Sequence, residues 1–155
     1  MTTNSLVPLN PALDMSSHII GSIYVSSYPG AASFKGRRIC VHHDTSLVYD
    51  FHMPILLTRP DDEDRNKGAI ANLKQLELIG TIIDSCLDDN DPLMIHCKGG
   101  VERSPLTLVY YLMKFRKYSI DEAYEYVKKK RPVVVDRRSW LPEEFLQSAI
   151  HKTAG

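Results

Sequence analysis

The sequence predicts an α/β domain with a central, mostly parallel sheet flanked by helices. Three observations lead there. Segments rich in β-branched and aromatic residues alternate with segments of helical periodicity. A short apolar run, LMIH at 93–96, passes through a glycine-containing turn directly into an apolar helix pattern, as the strands of such sheets do. Ser119 stands three residues before Glu122, a capping box that marks the start of a later helix. With 155 residues, 43% of them apolar and 25% charged, the chain is long enough to bury one core.

Residues 1–17 are punctuated by Pro and Asn and lack periodicity, so they are expected as an extended or poorly ordered lead-in to a single domain over 18–155. HIIGSIYVSSY at 18–28 reads as a strand closed by a turn at Pro29-Gly30. A second strand is expected over 38–42 and a third over 49–57, where Pro54 argues for a strand end or an edge position. The acidic run Asp61, Asp62, Glu63, Asp64 reads as a loop. From 66 to 87, Ile70, Leu73, Leu76, Ile79, Ile83, Cys86 and Leu87 recur at three- and four-residue steps, which predicts a helix with one buried face. The run at 93–96, bounded by Pro92 and Gly99-Gly100, is expected as a buried central strand. The helix after it, 104–116, is apolar almost all round and belongs in the core. The capped helix from Ser119 ends in Lys128, Lys129, Lys130 and Arg131 before Pro132, cations that suit a helix carboxyl end. Pro142 suits the first turn of a last helix over 143–151.

Charge and cysteine usage narrow the function classes. Nineteen Lys and Arg balance nineteen Asp and Glu, which gives no overall reason to expect nucleic acid or a membrane as partner. The three cysteines, Cys40, Cys86 and Cys97, form no C-x-x-C pair, which argues against a disulfide framework and a structural zinc site. His42, His43, Asp44 and His52 show no coherent ligand spacing, so neither metal nor cofactor is expected. No stretch has the length of a membrane span or a secretory leader, and the expected location is the cytoplasm or the nucleus. The charge is polarised along the chain. Residues 98–138 hold eleven Lys or Arg against five acidic residues, while 61–91 hold nine acidic against three basic.

The chemistry concentrates in HCKGGVERSP, His96 to Pro105. A loop between a buried strand and a helix start directs successive backbone N–H groups and the positive helix end at one point, where a tetrahedral dianion is the natural guest. In the same field a thiol gives up its proton more readily, so Cys97 is expected as a thiolate able to attack phosphorus. Lys98, Gly99, Gly100, Val101, Glu102 and Arg103 supply the phosphate cradle. The planar fork of Arg103 suits two equatorial phosphoryl oxygens. Ser104 at the helix start can donate its hydroxyl to the Cys97 sulfur, and His96 is expected to orient the loop through backbone hydrogen bonds. Glu102 beside Arg103 is expected to repel a polyanion, which favours a phosphoprotein monoester as substrate.

These residues resemble the cysteine-dependent protein phosphatases, whose H-C-x-x-G-x-x-R-[ST] pattern is matched at its five fixed places. More narrowly the chain resembles the dual-specificity phosphatases through RSPLTLVYYLMKFRKYSIDEAYEYVKKKRP at 103–132. The resemblance implies a phosphatase acting on phosphotyrosine, phosphoserine or phosphothreonine through a cysteinyl-phosphate. It also implies an aspartate that protonates the leaving oxygen and then activates water, a service worth ~10²–10⁴ in rate. In many such relatives that aspartate comes three residues after a proline closing the preceding strand; here Pro54 leads to Leu57. The candidates are therefore Asp61, which follows Pro60 as in the Pro-Asp of tyrosine-phosphatase acid loops, then Asp62, then Asp64. As in some relatives, Cys40 is a candidate for a protective disulfide with Cys97. Two other readings stay open: a phospho-binding module without a working acid, and a phosphatase of RNA 5′ ends or inositol phosphates.

Overall fold

The computed structural model describes residues 11–42, 51–58 and 69–154. Pro11–Asp14 forms a single helical turn, α1, where an extended lead-in is expected. Strands β1 (Ser17–Ile20) and β2 (Ile23–Ser26) then pair antiparallel. The segment expected as one strand is thus a tight hairpin, because Gly21 at φ +53° takes the left-handed backbone that reverses the chain. Helix α2, Tyr28–Ala31, follows at once, capped by the Ser27 hydroxyl, which accepts the Gly30 N–H at 3.1 Å.

Strand β3 (Arg37–Cys40) is next, and β4 (Phe51–His52) lies at the sheet edge, where Pro54 just beyond it is tolerated. Strands β5 (Leu57–Thr58) and β6 (Ile70–Ala71) form a separate antiparallel ribbon. Helix α3 spans Leu73–Asp88, starting later than its periodicity suggests because Ile70 and Ala71 are drawn into the ribbon and Asn72 caps the helix by accepting the Gln75 N–H at 3.0 Å.

Strand β7 (Leu93–His96) is buried at every position and runs parallel to β2 on one side and β3 on the other. The sheet order is β1-β2-β7-β3-β4, which makes β7 the central strand, as expected. Val25, Ile95 and Ile39 stand in register across it and enter the apolar core with Leu76, Ile79 and Ile83 of α3. Helix α4 (Arg103–Arg116) adds Leu108, Val109 and Leu112, α5 (Ile120–Lys130) adds Val127, and α6 (Glu143–Ala154) adds Phe145. The capping box at Ser119 is complete: Ser119 Oγ accepts from the Glu122 N–H at 3.1 Å and the Glu122 carboxylate from the Ser119 N–H at 2.9 Å. On the opposite face Tyr24, Met94 and Arg38 are in register. No helix among the described residues is long and apolar enough to cross a membrane.

Candidate active site

The site forms where β7 ends. His96 closes the strand, its carbonyl accepting the Val41 N–H at 2.8 Å, and its buried ring lies 5.9 Å from Tyr28. Residues 97–102 then turn into α4, whose first turn accommodates Pro105 without losing a bond it needs. Cys97 is 4% exposed. Its Sγ accepts the Gly100 N–H at 3.1 Å, so the sulfur sits inside the curl of the loop, facing an amide donor.

Only glycine serves at position 100. Its φ is +70°, and a Cβ there would lie 2.5 Å from the Ser26 carbonyl oxygen and 2.7 Å from the Arg131 guanidinium. The loop is pinned from outside by backbone bonds as well: the Lys98 carbonyl accepts from Tyr28 N–H at 3.0 Å and the Val101 carbonyl from Val135 N–H at 2.8 Å. Lys98 itself is exposed.

Arg103 opens α4. Its Nε donates to the Ile55 carbonyl at 3.1 Å, which sets the plane of the guanidinium, and its Cζ lies 5.9 Å from the centre of the buried Trp140 ring. Trp140 belongs to the 3₁₀ turn Arg138–Trp140, and Arg137 covers the same ring with its Cζ at 5.1 Å. Arg137 Nε also donates to the Glu102 carboxylate at 2.6 Å. This pair corrects the expectation that Glu102 repels a polyanion. Its charge is met by a neighbouring guanidinium, so it does not act on incoming anions as a bare carboxylate.

Ser104 Oγ is fully buried and has no hydrogen-bond partner among the described residues. The expected donation to Cys97 is not in place here, where the sulfur takes the Gly100 amide; the hydroxyl stands at the foot of α4 with no other demand on it.

Arg131 escapes sequence reasoning. It is 1% exposed, and its Nε and terminal nitrogens donate to the Gly100 carbonyl at 2.8 Å and the Gly99 carbonyl at 3.1 Å. Burial pulls its guanidinium below the usual arginine range, while the charges of Cys97 and Asp14 act in the opposite direction. The only sequence signal is that this arginine ends a helix just before a proline, which reads equally well as helix-end charge complementation.

Asp61, Asp62 and Asp64 lie outside the described residues, as do His43 and Asp44. Leu57, the third residue after Pro54, is in β5 and pairs with Ala71. Cys40 stands abreast of His96 in the β3–β7 register, one residue short of Cys97, and its sulfur lies 3.9 Å from the His42 carbonyl. Register partners share a sheet face, and Cys97 belongs to the apolar core that Cys40 does not join; the two are not joined by a disulfide in this structure. Among the described residues no group of three or more His, Cys, Asp or Glu is placed to hold a metal ion.

Comparison with known proteins agrees with the fold. Rat dual specificity protein phosphatase 5 is 40% identical over 52 residues, 34% of this chain and 14% of its own length. Mouse dual specificity protein phosphatase 1 is 34% identical over 79 residues, 51% of this chain and 21% of its own length. The chain spans half or less of the length of the curated relatives it matches. Human DUSP28 superposes with a TM-score of 0.65 at 19% identity, covering 96% of this chain and 99% of that one. PTPMT1 superposes at 0.65 and 16% identity, covering 90% and 98%. At such identities the structures speak for the fold. The family model for the dual specificity phosphatase catalytic domain matches residues 35–143. Because that match covers most of the chain and includes the whole loop from Cys97 to Arg103, the chain belongs to the dual specificity phosphatase catalytic-domain family.

Proposed function

We propose that the chain hydrolyses phosphate monoesters on tyrosine, serine or threonine side chains of proteins, through a phosphate carried on Cys97. The observation that carries this is the Gly100 amide directed at Cys97 Sγ, 3.1 Å away, at the carboxyl end of the central strand. An amide donor aimed at the sulfur stabilises its anionic form and belongs to the same row of N–H groups that receives the phosphoryl oxygens.

In the first step Cys97 Sγ attacks phosphorus, the S–P bond forms and the ester P–O bond breaks. The backbone N–H groups of 98–103 and the Arg103 fork hold the equatorial oxygens. Asp61, or else Asp62 or Asp64, gives its proton to the departing oxygen. In the second step the same carboxylate takes a proton from water as the water oxygen bonds to phosphorus. The S–P bond then breaks, releasing inorganic phosphate, with the Ser104 hydroxyl donating to the returning sulfur anion. Support for this source of the acid comes from connectivity. Arg103 grips the carbonyl of Ile55, β5 begins two residues later, and β6 returns against the 3₁₀ turn of Trp140. The described residues Ile55 and β6, which flank 59–68 in the sequence, thus contact Arg103 and the turn of Trp140. The expected partner is a phosphoprotein in the cytoplasm or nucleus.

One observation favours a second reading: the apolar Leu57 at the place of the family's acid keeps open a phospho-binding module that grips phosphate without releasing it. Phosphate release from unactivated phosphotyrosine and phosphoserine peptides decides between them, with RNA 5′ ends and inositol phosphates in the same panel. Steady turnover of the peptides, lost by at least ~10³ in Cys97→Ser, supports the phosphatase. Binding without turnover by the unaltered chain supports the module, and preferred turnover of the RNA or inositol substrates redirects the assignment.

A further inference from the structure

Arg131 joins two parts of the chain that are far apart in sequence. Beside its bonds to Gly99 and Gly100, its terminal nitrogens donate to the Leu13 carbonyl at 2.8 Å, the Met15 carbonyl at 3.0 Å and Ser17 Oγ at 3.0 Å. None of these five acceptors is a carboxylate. A buried guanidinium is tolerated only when its donors are met, and here three of the five partners come from the amino-terminal lead-in. The lead-in is fastened in turn: Ser27 N–H donates to the Leu13 carbonyl at 3.3 Å and Ser27 Oγ to the Asp14 carboxylate at 2.7 Å.

The consequence follows from peptide geometry. A carbonyl and the N–H of the next residue share one plane and point in opposite directions. The Gly99 carbonyl faces Arg131 at 3.1 Å, and the N–H of the same peptide unit faces Cys97 Sγ at 3.1 Å. The Gly100 carbonyl, drawn to Arg131 at 2.8 Å, likewise turns the Val101 N–H away from the guanidinium. Two adjacent peptide planes are thus held with their donors on the cradle side. With glycine on both sides of the first plane, nothing local opposes its flipping.

We propose that residues 13–17 are a working part of the oxyanion site: they complete the hydrogen bonding of Arg131, which then acts as a positioning residue locking the Gly99–Gly100 and Gly100–Val101 planes. The inference rests on the reading of 97–103 as an oxyanion cradle. Detaching the lead-in should therefore weaken the grip on phosphate without touching any residue that contacts it.

The test uses the full chain with two alterations: Arg131→Lys, which keeps the charge but not the fork, and the milder Asp14→Ala/Ser17→Ala double variant, which loosens the lead-in. Orthovanadate inhibition and amide hydrogen exchange over 98–102 are read in each. Loss of charged hydrogen bonds to the loop predicts orthovanadate affinity about 10- to 100-fold weaker in Arg131→Lys. A smaller loss, roughly threefold or more, is expected in the double variant, with exchange at 98–102 faster in both. If the double variant speeds exchange in 11–17 while the loop amides and orthovanadate affinity stay unchanged, the lead-in is packing alone and the proposal is overturned. No change at any site overturns it equally. Should Arg131→Lys not fold, the double variant still decides. If the unaltered chain does not bind orthovanadate, the cradle reading falls, and the exchange measurements still report whether lead-in and loop are coupled.

Discussion

The two ends of the proposed catalytic architecture are built to different standards. Around β7 the sheet is buried on both sides, and the loop that follows is held through its carbonyls by Arg131, Tyr28 and Val135 and through its sulfur by its own amide. At the other edge β4, β5 and β6 have two residues each. Among the bonds that hold this side are Met53 and Ile55 N–H to the Cys40 and Val41 carbonyls at 2.9 Å and Leu56 N–H to the Gln75 side chain at 2.8 Å. Gripping a charged transition state rewards donors fixed in advance, because they need no reorganisation as charge develops. Delivering and recovering a proton requires a group that meets the leaving oxygen and then water. In the proposed mechanism the rigid task falls to the loop after β7, and the proton task to Asp61, Asp62 or Asp64, which follow a strand of two residues in the sequence.

Three substitutions sharpen this contrast. Arg103→Lys removes the planar fork at the rigid end while keeping the charge, and turnover should fall by roughly 10²–10³ for every substrate alike; an effect confined to poor leaving groups would move Arg103 out of the cradle. Asp61→Asn strikes the proton end. Turnover of alkyl phosphates should drop by about 10² or more, and that of activated aryl phosphates by less than tenfold. Equal, small losses on both would transfer the role to Asp62 or Asp64.

The smallest effect concerns the segment beneath Arg103. Burial works against the charged Asp136 carboxylate, but hydrogen bonds and charge from Arg138 outweigh it, and the carboxyl is held below its usual range. A lowered folded-state value stabilises above the unfolded-state value, near 3.8, and that contribution is lost as the pH falls through the lower folded-state value. Asp136→Asn should therefore lower the melting temperature by a few degrees at pH 7 and flatten its fall below about pH 4. Parallel curves for both proteins would show that the Asp136–Arg138 pair contributes nothing.

The same contrast governs what could be read from the sequence. The rigid end was legible because its signals are local. Four apolar residues between Pro92 and the glycines mark β7, the apolar sweep from Leu106 to Phe115 marks α4, and Ser119 with Glu122 marks α5. Pro54 likewise placed its strand at the sheet edge. The misreadings share a cause. The hairpin at Gly21 was hidden because β-branched residues continue on both sides of the turn, and Ile70 fits the helical period of α3 while the ribbon claims it. Arg131 and the Glu102–Arg137 pair depend on contacts across 31 to 118 residues of chain, and no local pattern encodes them. The Cys40–Cys97 link rests on a resemblance to some relatives, and the register sets Cys40 beside His96, one residue short of Cys97.

The central claim is that Cys97 itself carries the phosphate. Rapid quenching of the full chain with denaturant at alkaline pH during turnover of a ³²P-labelled phosphotyrosine peptide, followed by peptide mapping, tests it directly. The account predicts label on the peptide holding Cys97, lost on exposure to acid, and none on that peptide in Cys97→Ser. Hydrolysis at full rate with no label on Cys97, or label on Cys40 or Cys86, would contradict it.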